Sequence, residues 1–134
     1  GGGFPGLVVA IAAADVRPDL HVTLVEADQR KASFLREAAR TVGVDVTILA
    51  QRVGGLSIGP FDVISARAFG SLVDLLRLSI PIVRPGGVML FPKGRSVEEE
   101  IAAARLHFGF QAEQTISHSG GGGVIVKIWD AAHE

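Results

Sequence analysis

Gly1-Gly2-Gly3-Phe4-Pro5-Gly6 opens the sequence, and the interpretation of the rest of the chain depends on this turn. Gly1, Gly3 and Gly6 fit the spacing G-x-G-x-x-G, in which glycine supplies the positive φ angles of a tight turn and lets a ligand approach bare backbone. Pro5 then stands where a helix would begin, a position at which its missing N–H group costs nothing. Because a helix N-terminus carries free N–H groups and a partial positive charge, the turn predicts a site for one end of a nucleotide-like ligand.

A strand that ends in an acidic residue follows this turn. Residues 20–25 are rich in β-branched side chains, which predicts a strand, and Glu26 stands at its end. In dinucleotide-binding units an acid about twenty residues beyond the glycine turn binds the ribose hydroxyls. Glu26 is therefore predicted to bind a ribose, and the alternative is a glycine-rich loop followed by an ordinary surface glutamate.

Strands and helices alternate along the chain. The hydrophobic pattern predicts strands at residues 21–25, 44–49, 61–66, 88–91, 110–116 and 124–129, and helices at residues 5–14, 29–42, 72–83 and 97–108. The predicted helix caps are Asp28, Gly43, Ser71 and a capping box of Ser96 with Glu99. Pro81 should end the third helix early, and loops are predicted at residues 85–87 and 92–95, with a tail at 130–134. This alternation predicts one α/β domain, residues 1–134, with a mostly parallel sheet and helices on both faces.

The end of the chain distinguishes two kinds of α/β domain. Ser119-Gly120-Gly121-Gly122-Gly123 joins the last two predicted strands by a short connection, so residues 124–129 should form an antiparallel C-terminal edge strand. A nicotinamide-binding Rossmann domain continues with further βα units, whereas the Rossmann-like class I methyltransferase sheet ends in such a hairpin. A glycine turn of this kind should also follow a strand, and none precedes Gly1. The sequence therefore predicts a fragment from which the first strand is missing.

The composition excludes several classes of protein. The 134 residues fit one domain, and 48% hydrophobic with 20% charged residues can fill a core. The lack of cysteine excludes disulfides and thiolate zinc sites, and four scattered histidines indicate no metal site. The sequence shows no membrane span and no signal peptide, which makes the cytoplasm the default location. The net charge of −1 favours at most a local basic patch as a contact with nucleic acid.

Several segments together resemble one family. They are Gly1-Gly2-Gly3-Phe4-Pro5-Gly6-Leu7, Thr23-Leu24-Val25-Glu26-Ala27-Asp28 with Arg30-Lys31 and Phe34-Leu35-Arg36, Arg52-Val53, Ser65-Ala66-Arg67-Ala68-Phe69, Pro85-Gly86-Gly87 and Phe91-Pro92-Lys93-Gly94. From Gly1 to about Arg95 the sequence resembles the bacterial small-subunit ribosomal RNA guanine-N7 methyltransferases (RsmG, also called GidB). The resemblance implies an enzyme that uses S-adenosylmethionine to methylate a guanine in the 530 loop of 16S rRNA. Its partner would be 16S rRNA or the small ribosomal subunit.

The resemblance also implies cofactor contacts at eight positions. In chain order they are Gly1, Gly3, Phe4, Gly6, Glu26, Val53, Gly54 and Arg67. The glycine turn should contact the methionine and ribose parts of S-adenosylmethionine, Glu26 the ribose hydroxyls, and Val53 with Gly54 the adenine. Gly54 stands where the family usually has glutamate, so a side-chain contact with the adenine edge is missing. The strand with Asp-x-Gly that the family has before the turn is also absent.

Methylation of guanine at N7 needs little chemistry from the protein, because N7 has an in-plane lone pair and no proton to remove. The protein must hold the base in line with the sulfonium methyl group. Arg67, Lys93 and Arg30 are the predicted catalytic residues, because each lies just past the C-terminal end of a predicted strand and a basic side chain matches guanine O6. The alternatives are a surface arginine for Arg67, an exposed turn for Lys93 and a solvated helix face for Arg30.

Two other functions stay open on the sequence alone. A dehydrogenase would use the same glycine turn and acid to bind NAD. A truncated, inactive domain would keep the fold without binding a cofactor. The terminal hairpin and Pro85-Gly86-Gly87 favour a methyltransferase over a dehydrogenase.

Overall fold

The structure, a computed structural model, describes residues 19–52, 58–66, 70–116 and 123–133. The chain divides into two compact units, Gly1–Leu56 and Ser57–Glu134. Outside the described residues lie the predicted helix at residues 5–14 and the site residues Gly1, Gly3, Phe4, Gly6, Val53, Gly54 and Arg67.

The first unit contains two parallel strands and the helix that connects them. Strand β1 (Val22–Val25) runs parallel to β2 (Val46–Leu49), and helix α1 (Gln29–Val42) lies between them in the chain. Leu24 of β1 packs with Leu35 of α1 in the core of this unit. The predicted order of strand, helix and strand is confirmed.

Local chemistry sets both ends of α1, as predicted. The Asp28 carboxylate accepts hydrogen bonds from two N–H groups of the first turn, at 2.9 and 3.2 Å. Gly43, with a φ of 74°, ends the helix in the left-handed region, and its N–H and that of Val44 donate to carbonyls of the last turn. Because the helix end uses the N–H of Val44, β2 begins at Val46, two residues after the predicted start.

The second unit is built on a four-stranded sheet. Its elements in chain order are β3 (Phe61–Ser65), α2 (Leu72–Ser79), a 3-10 turn (Ile80–Ile82), β4 (Val83–Lys93), α3 (Val97–Arg105), β5 (Phe108–Ile116) and β6 (Val124–His133). The strand order is β3-β4-β6-β5, with β3 parallel to β4 and β6 antiparallel to both of its neighbours. The antiparallel direction of the last strand is confirmed, but its predicted edge position is wrong, because β6 lies between β4 and β5. A hairpin signal specifies one neighbour of a strand, and here a second neighbour covers the other side.

Helices α2 and α3 supply much of the core of the second unit. The buried residues of this core are Leu72, Leu75, Leu76, Met89, Phe91, Val97, Ile101, Ala104, Phe108, Phe110, Val126 and Ile128. Ser71 caps α2, accepting the N–H of Asp74, and the helix ends at Ser79, where the turn that contains Pro81 begins, as predicted. Within the described ranges, no helix is long and apolar enough to cross a membrane.

Strand β4 is longer than predicted because it includes residues predicted as loops. Its pairing with β3 moves from Phe61↔Val83 to Val63↔Val88, so residues 84–87 form a bulge inside the strand. Residues 92 and 93 also pair, with the start of β6. The turn predicted at residues 85–87 therefore lies within β4, and the loop predicted from residue 92 begins only after Lys93.

Three predicted features after β4 are wrong. Helix α3 ends at Arg105 instead of residue 108, because Phe108 is buried as the first residue of β5. The capping box does not form, since the Ser96 hydroxyl caps no helix N–H and instead donates to the Glu100 carboxylate at 3.4 Å. Residues 130–133, which fall in the predicted tail at 130–134, belong to β6, and Ala132 and His133 pair with Gly109 and Phe108 at the start of β5.

Candidate functional site

Glu26 lies at the carboxyl end of β1 and is buried, with 5% of its surface exposed. Its N–H donates to the carbonyl of Leu49 at 2.9 Å, which extends the pairing of β1 with β2. Its Oε1 accepts the N–H of Asp28 at 3.0 Å. The alternative of an ordinary surface glutamate is therefore wrong, because the carboxylate is held in a defined turn at the end of a strand.

Arg30 is in the first turn of α1 and is exposed. Its N–H donates to the Asp28 carboxylate at 2.9 Å, and the N–H of Asp28 donates to Glu26, so hydrogen bonds connect the three residues. The structure thus places a buried carboxylate and an exposed cation within one turn at the carboxyl end of β1. A contact of Arg30 with guanine stays a prediction.

The carboxyl end of β2 is tied to the start of the same helix. The side-chain amide of Gln29 donates to the carbonyl of Ala50 at 3.3 Å. Val53 and Gly54 follow three and four residues after Ala50, outside the described residues. Their contact with an adenine stays a prediction.

Lys93 is the last residue of β4, and its side chain is only 10% exposed. Its Nζ donates to Glu100 Oε1 at 2.9 Å and to the carbonyl of Gly70 at 2.7 Å. An exposed turn, the alternative for Lys93, is therefore wrong. The ammonium group is engaged inside the protein, whereas the sequence predicts a contact with guanine, and that contact stays untested.

Glu100 is the residue of this region that the sequence does not indicate. It stands in the acidic first turn of α3, Glu98-Glu99-Glu100. Its side chain is 20% exposed and its Oε1 accepts both the Lys93 ammonium and the N–H of Leu72, the latter at 3.0 Å. Lys93 and Glu100 are on different elements, so no helix or strand periodicity relates them.

Lys93 and the end of β3 lie at the same edge of the sheet of the second unit. The strands β3 and β4 are parallel, and Ser65↔Leu90 is their last pair. Arg67 follows β3 by two residues and lies outside the described residues. Its role at the cofactor or the guanine stays a prediction.

Two cavities within the separate units contain none of the predicted site residues. The cavity of about 350 Å³ in the first unit is lined by Arg36, Ala39, Arg40, Val44, Asp45, Val46 and Ile48. The cavity of about 360 Å³ in the second unit is lined by Ile80, Val83, Arg84, Pro85, Gly86, Gly87, Met89, Asp130 and Ala131. Neither cavity is lined by Glu26 or Lys93, the residues at the carboxyl ends of β1 and β4.

Solved structures share the fold of this chain. PigF, determined with SAH, superposes with a TM-score of 0.74 at 17% identity, covering 95% of this chain and 49% of its own. The S-adenosylmethionine-dependent methyltransferase SibL superposes with a TM-score of 0.71 at 18% identity, covering 96% of this chain and 48% of its own. At these identities the likeness shows the fold, and it confirms the predicted Rossmann-like α/β class.

The sequence comparison identifies the family. The family description rRNA small subunit methyltransferase G (GidB) matches residues 1–124. Ribosomal RNA small subunit methyltransferase G of Cereibacter sphaeroides is 47% identical over 133 residues, which cover 99% of this chain and 64% of that protein. The chain thus spans somewhat less than two thirds of the length of this relative. The chain belongs to the rRNA small subunit methyltransferase G (GidB) family.

Proposed function

We propose that the intact protein, meaning this chain at the length of its relatives, transfers the methyl group of S-adenosylmethionine to N7 of a guanine in 16S rRNA. The observation that carries the proposal is the family match over residues 1–124, with 47% identity to a ribosomal RNA small subunit methyltransferase G. In this proposal residues 1–134 are the S-adenosylmethionine-dependent methyltransferase domain. The oxidoreductase alternative is not favoured, since the Cereibacter sphaeroides relative and the structural neighbour SibL are both named as methyltransferases.

Glu26 is proposed to bind the ribose of S-adenosylmethionine. A carboxylate accepts hydrogen bonds and is the group that binds ribose hydroxyls at the end of such a strand. The N–H of Asp28 donates to Glu26 Oε1, so the turn fixes the side chain. The glycine turn with Gly1, Gly3, Phe4 and Gly6 is proposed to contact the methionine and ribose parts, and Val53 with Gly54 the adenine.

Methyl transfer to N7 is proposed to depend on orientation of the base. The N7 lone pair attacks the methyl carbon as the carbon–sulfur bond breaks, and the bonding electrons leave with sulfur, so no proton moves and no general base is needed. Arg67 and Arg30 are proposed to bind the O6 edge of the guanine, which leaves N7 free to react. The cost of misorientation can be large, because the reacting atoms must lie close and in line.

The proposed partner is 16S rRNA or the small ribosomal subunit, met in the cytoplasm. Helix α1 supports a contact with RNA, because it carries four basic residues, Arg30, Lys31, Arg36 and Arg40, and one acidic residue, Glu37. All five are exposed. Since the whole chain has a formal net charge of −1, this helix is a local concentration of positive charge of the kind that binds phosphates.

The test combines ligand binding with methyl transfer in the intact protein. Calorimetric titration should show binding of S-adenosylhomocysteine and no binding of NAD. Incubation with labelled S-adenosylmethionine and undermethylated small-subunit RNA should give 7-methylguanosine. Binding of NAD in place of S-adenosylhomocysteine would support an oxidoreductase, and binding of neither would support an inactive fold.

A further inference from the structure

The Lys93 ammonium joins three elements of the second unit through the side chain of Glu100. Its Nζ donates to the carbonyl of Gly70 at 2.7 Å and to Glu100 Oε1 at 2.9 Å. The same Oε1 accepts the N–H of Leu72 at 3.0 Å. These four residues, here called the Lys93 clamp, connect the carboxyl end of β4, the first turn of α3 and the start of α2.

The ion pair of the clamp is largely withdrawn from water, with side-chain exposures of 10% for Lys93 and 20% for Glu100. Desolvating two charges costs free energy that their attraction offsets only with good geometry, and an uncharged pair of similar volume is often as stable. Stability alone therefore does not require this pair. The ion pair also makes directional hydrogen bonds to the backbone, from Lys93 to the carbonyl of Gly70 and from the N–H of Leu72 to Glu100. Apolar contacts are not directional, so they could not fix this backbone in the same way.

The backbone that the clamp contacts lies near the carboxyl ends of β3 and β4. Gly70 is near the end of the connection from β3 to α2, and β3 and β4 leave the sheet at the same edge because they are parallel. Ligands bind at the carboxyl ends of strands in open α/β sheets. The sequence places Arg67 in this connection, three residues before Gly70.

We propose that Lys93 is a positioning residue for methyl transfer. The clamp holds the end of the β3–α2 connection at the carboxyl edge of the sheet and so sets the orientation of the target base relative to the methyl donor. Two of the three N–H donors of the ammonium are already used within the clamp. This inference rests on the proposed function, and it gives Lys93 a role through Gly70 in place of the predicted direct contact with guanine.

The test removes the hydrogen bond from Lys93 to the carbonyl of Gly70 without leaving an unpaired buried charge. In the intact protein, Lys93→Met combined with Glu100→Gln removes both charges together, and the new amide oxygen can still accept the N–H of Leu72. We expect the melting temperature, the affinity for S-adenosylhomocysteine and the KM for RNA to stay close to wild type. The kcat for RNA methylation should fall about ten- to a hundred-fold. Lys93→Arg retains two donors and should recover part of kcat.

A matched control lies at the other end of the same strand. Arg84 of β4 and Asp62 of β3 form an exposed ion pair, with side-chain exposures of 48% and 79%. Arg84→Met combined with Asp62→Asn removes two opposite charges in the same way. This control should leave kcat unchanged.

The possible outcomes distinguish a failure of the proposed function from a failure of the positioning role of Lys93. A wild-type protein that does not methylate small-subunit RNA would contradict the proposed function, and the inference would fall with it. If the wild type is active, an unchanged kcat in the Lys93→Met/Glu100→Gln variant would overturn the positioning role. A fall in melting temperature or in S-adenosylhomocysteine affinity that accounts for the loss would also overturn it, since it would assign the pair to stability.

Discussion

Glu26 combines burial with a carboxylate that is already oriented by the backbone, through the N–H of Asp28. The substitution Glu26→Gln keeps the shape and the acceptor for Asp28, but it would lose the proposed charge-assisted hydrogen bonds to the ribose. Each such bond is worth about 1.5–3 kcal/mol, so we expect the affinity for S-adenosylhomocysteine to fall by roughly ten-fold or more. Calorimetry on the intact protein measures this change.

The control for Glu26 is Glu37→Gln. Glu37 is exposed on α1, is paired with Arg40 at 2.6 Å and is not one of the predicted cofactor residues. It should leave the affinity for S-adenosylhomocysteine as it is. Equal affinities in wild type and Glu26→Gln would remove Glu26 from the cofactor site.

Arg67 is the residue at which a conservative change should matter most. Arg67→Lys keeps the positive charge but loses the planar fork that binds a carboxylate or a base edge through two hydrogen bonds. We expect impaired methylation of small-subunit RNA by the intact protein. Weaker binding of S-adenosylhomocysteine would assign Arg67 to the cofactor, and a fall in turnover alone would assign it to the guanine. Wild-type values for both would identify a surface arginine.

The individual site residues differ in how far the sequence could indicate them. Glu26 could be predicted from the sequence, because its distance from the glycine turn follows from the length of one helix and one strand. The contact of Lys93 with Glu100 and Gly70 could not be predicted, because these residues are brought together by the packing of β4, α2 and α3. Side-chain pairs between elements leave no periodic signal in a sequence.

Among the elements, the bulge of β4 leaves no room for a side chain at Gly87. A Cβ atom at this position would lie 2.6 Å from Val83 Cγ2, 2.9 Å from the Arg84 carbonyl oxygen and 3.0 Å from the Asp62 carbonyl oxygen. Because two of these neighbours are backbone atoms, Gly87→Ala should lower the free energy of unfolding by about 1–3 kcal/mol. Urea denaturation followed by circular dichroism measures the difference.

Gly94→Ala is the matched control for Gly87→Ala. A Cβ atom at Gly94, just after β4, would meet nothing within 4 Å. Its effect on the free energy of unfolding should stay within about 0.5 kcal/mol. A Gly87→Ala variant as stable as Gly94→Ala would show that the bulge can relax.

The elements were predicted best where their boundaries depend on local chemistry. Helix α1 was predicted with both ends correct, because Asp28 and Gly43 act on the nearest turn of the backbone. The bulge in β4 and the position of β6 depend on partners distant in the chain. A Pro-Gly-Gly segment specifies a change of direction, but it does not specify whether the strand resumes beside the same neighbour.

At the scale of the whole molecule, the proposed cofactor should stabilise the folded protein. A ligand that binds only the folded state at about 100 times its Kd adds about 2.7 kcal/mol to the free energy of unfolding. We therefore expect S-adenosylhomocysteine to raise the melting temperature of the intact protein by several degrees, and NAD at the same concentration to leave it unchanged. The reverse pattern would contradict the assignment of the cofactor.

The position of β6 between β4 and β5 also determines how long two strand edges stay unpaired while the chain is being synthesised. β6 is the last described strand to be synthesised, yet β5 has no other partner in the described sheet and β4 needs β6 along one side. Unpaired strand edges are templates for association with other chains. At a translation rate of about 5–20 residues per second, the synthesis from the end of β5 to the end of β6 leaves both edges open for about one to three seconds. The order of the strands, together with the number of residues from β5 to β6, thus sets the time for which these two strand edges are unpaired during synthesis.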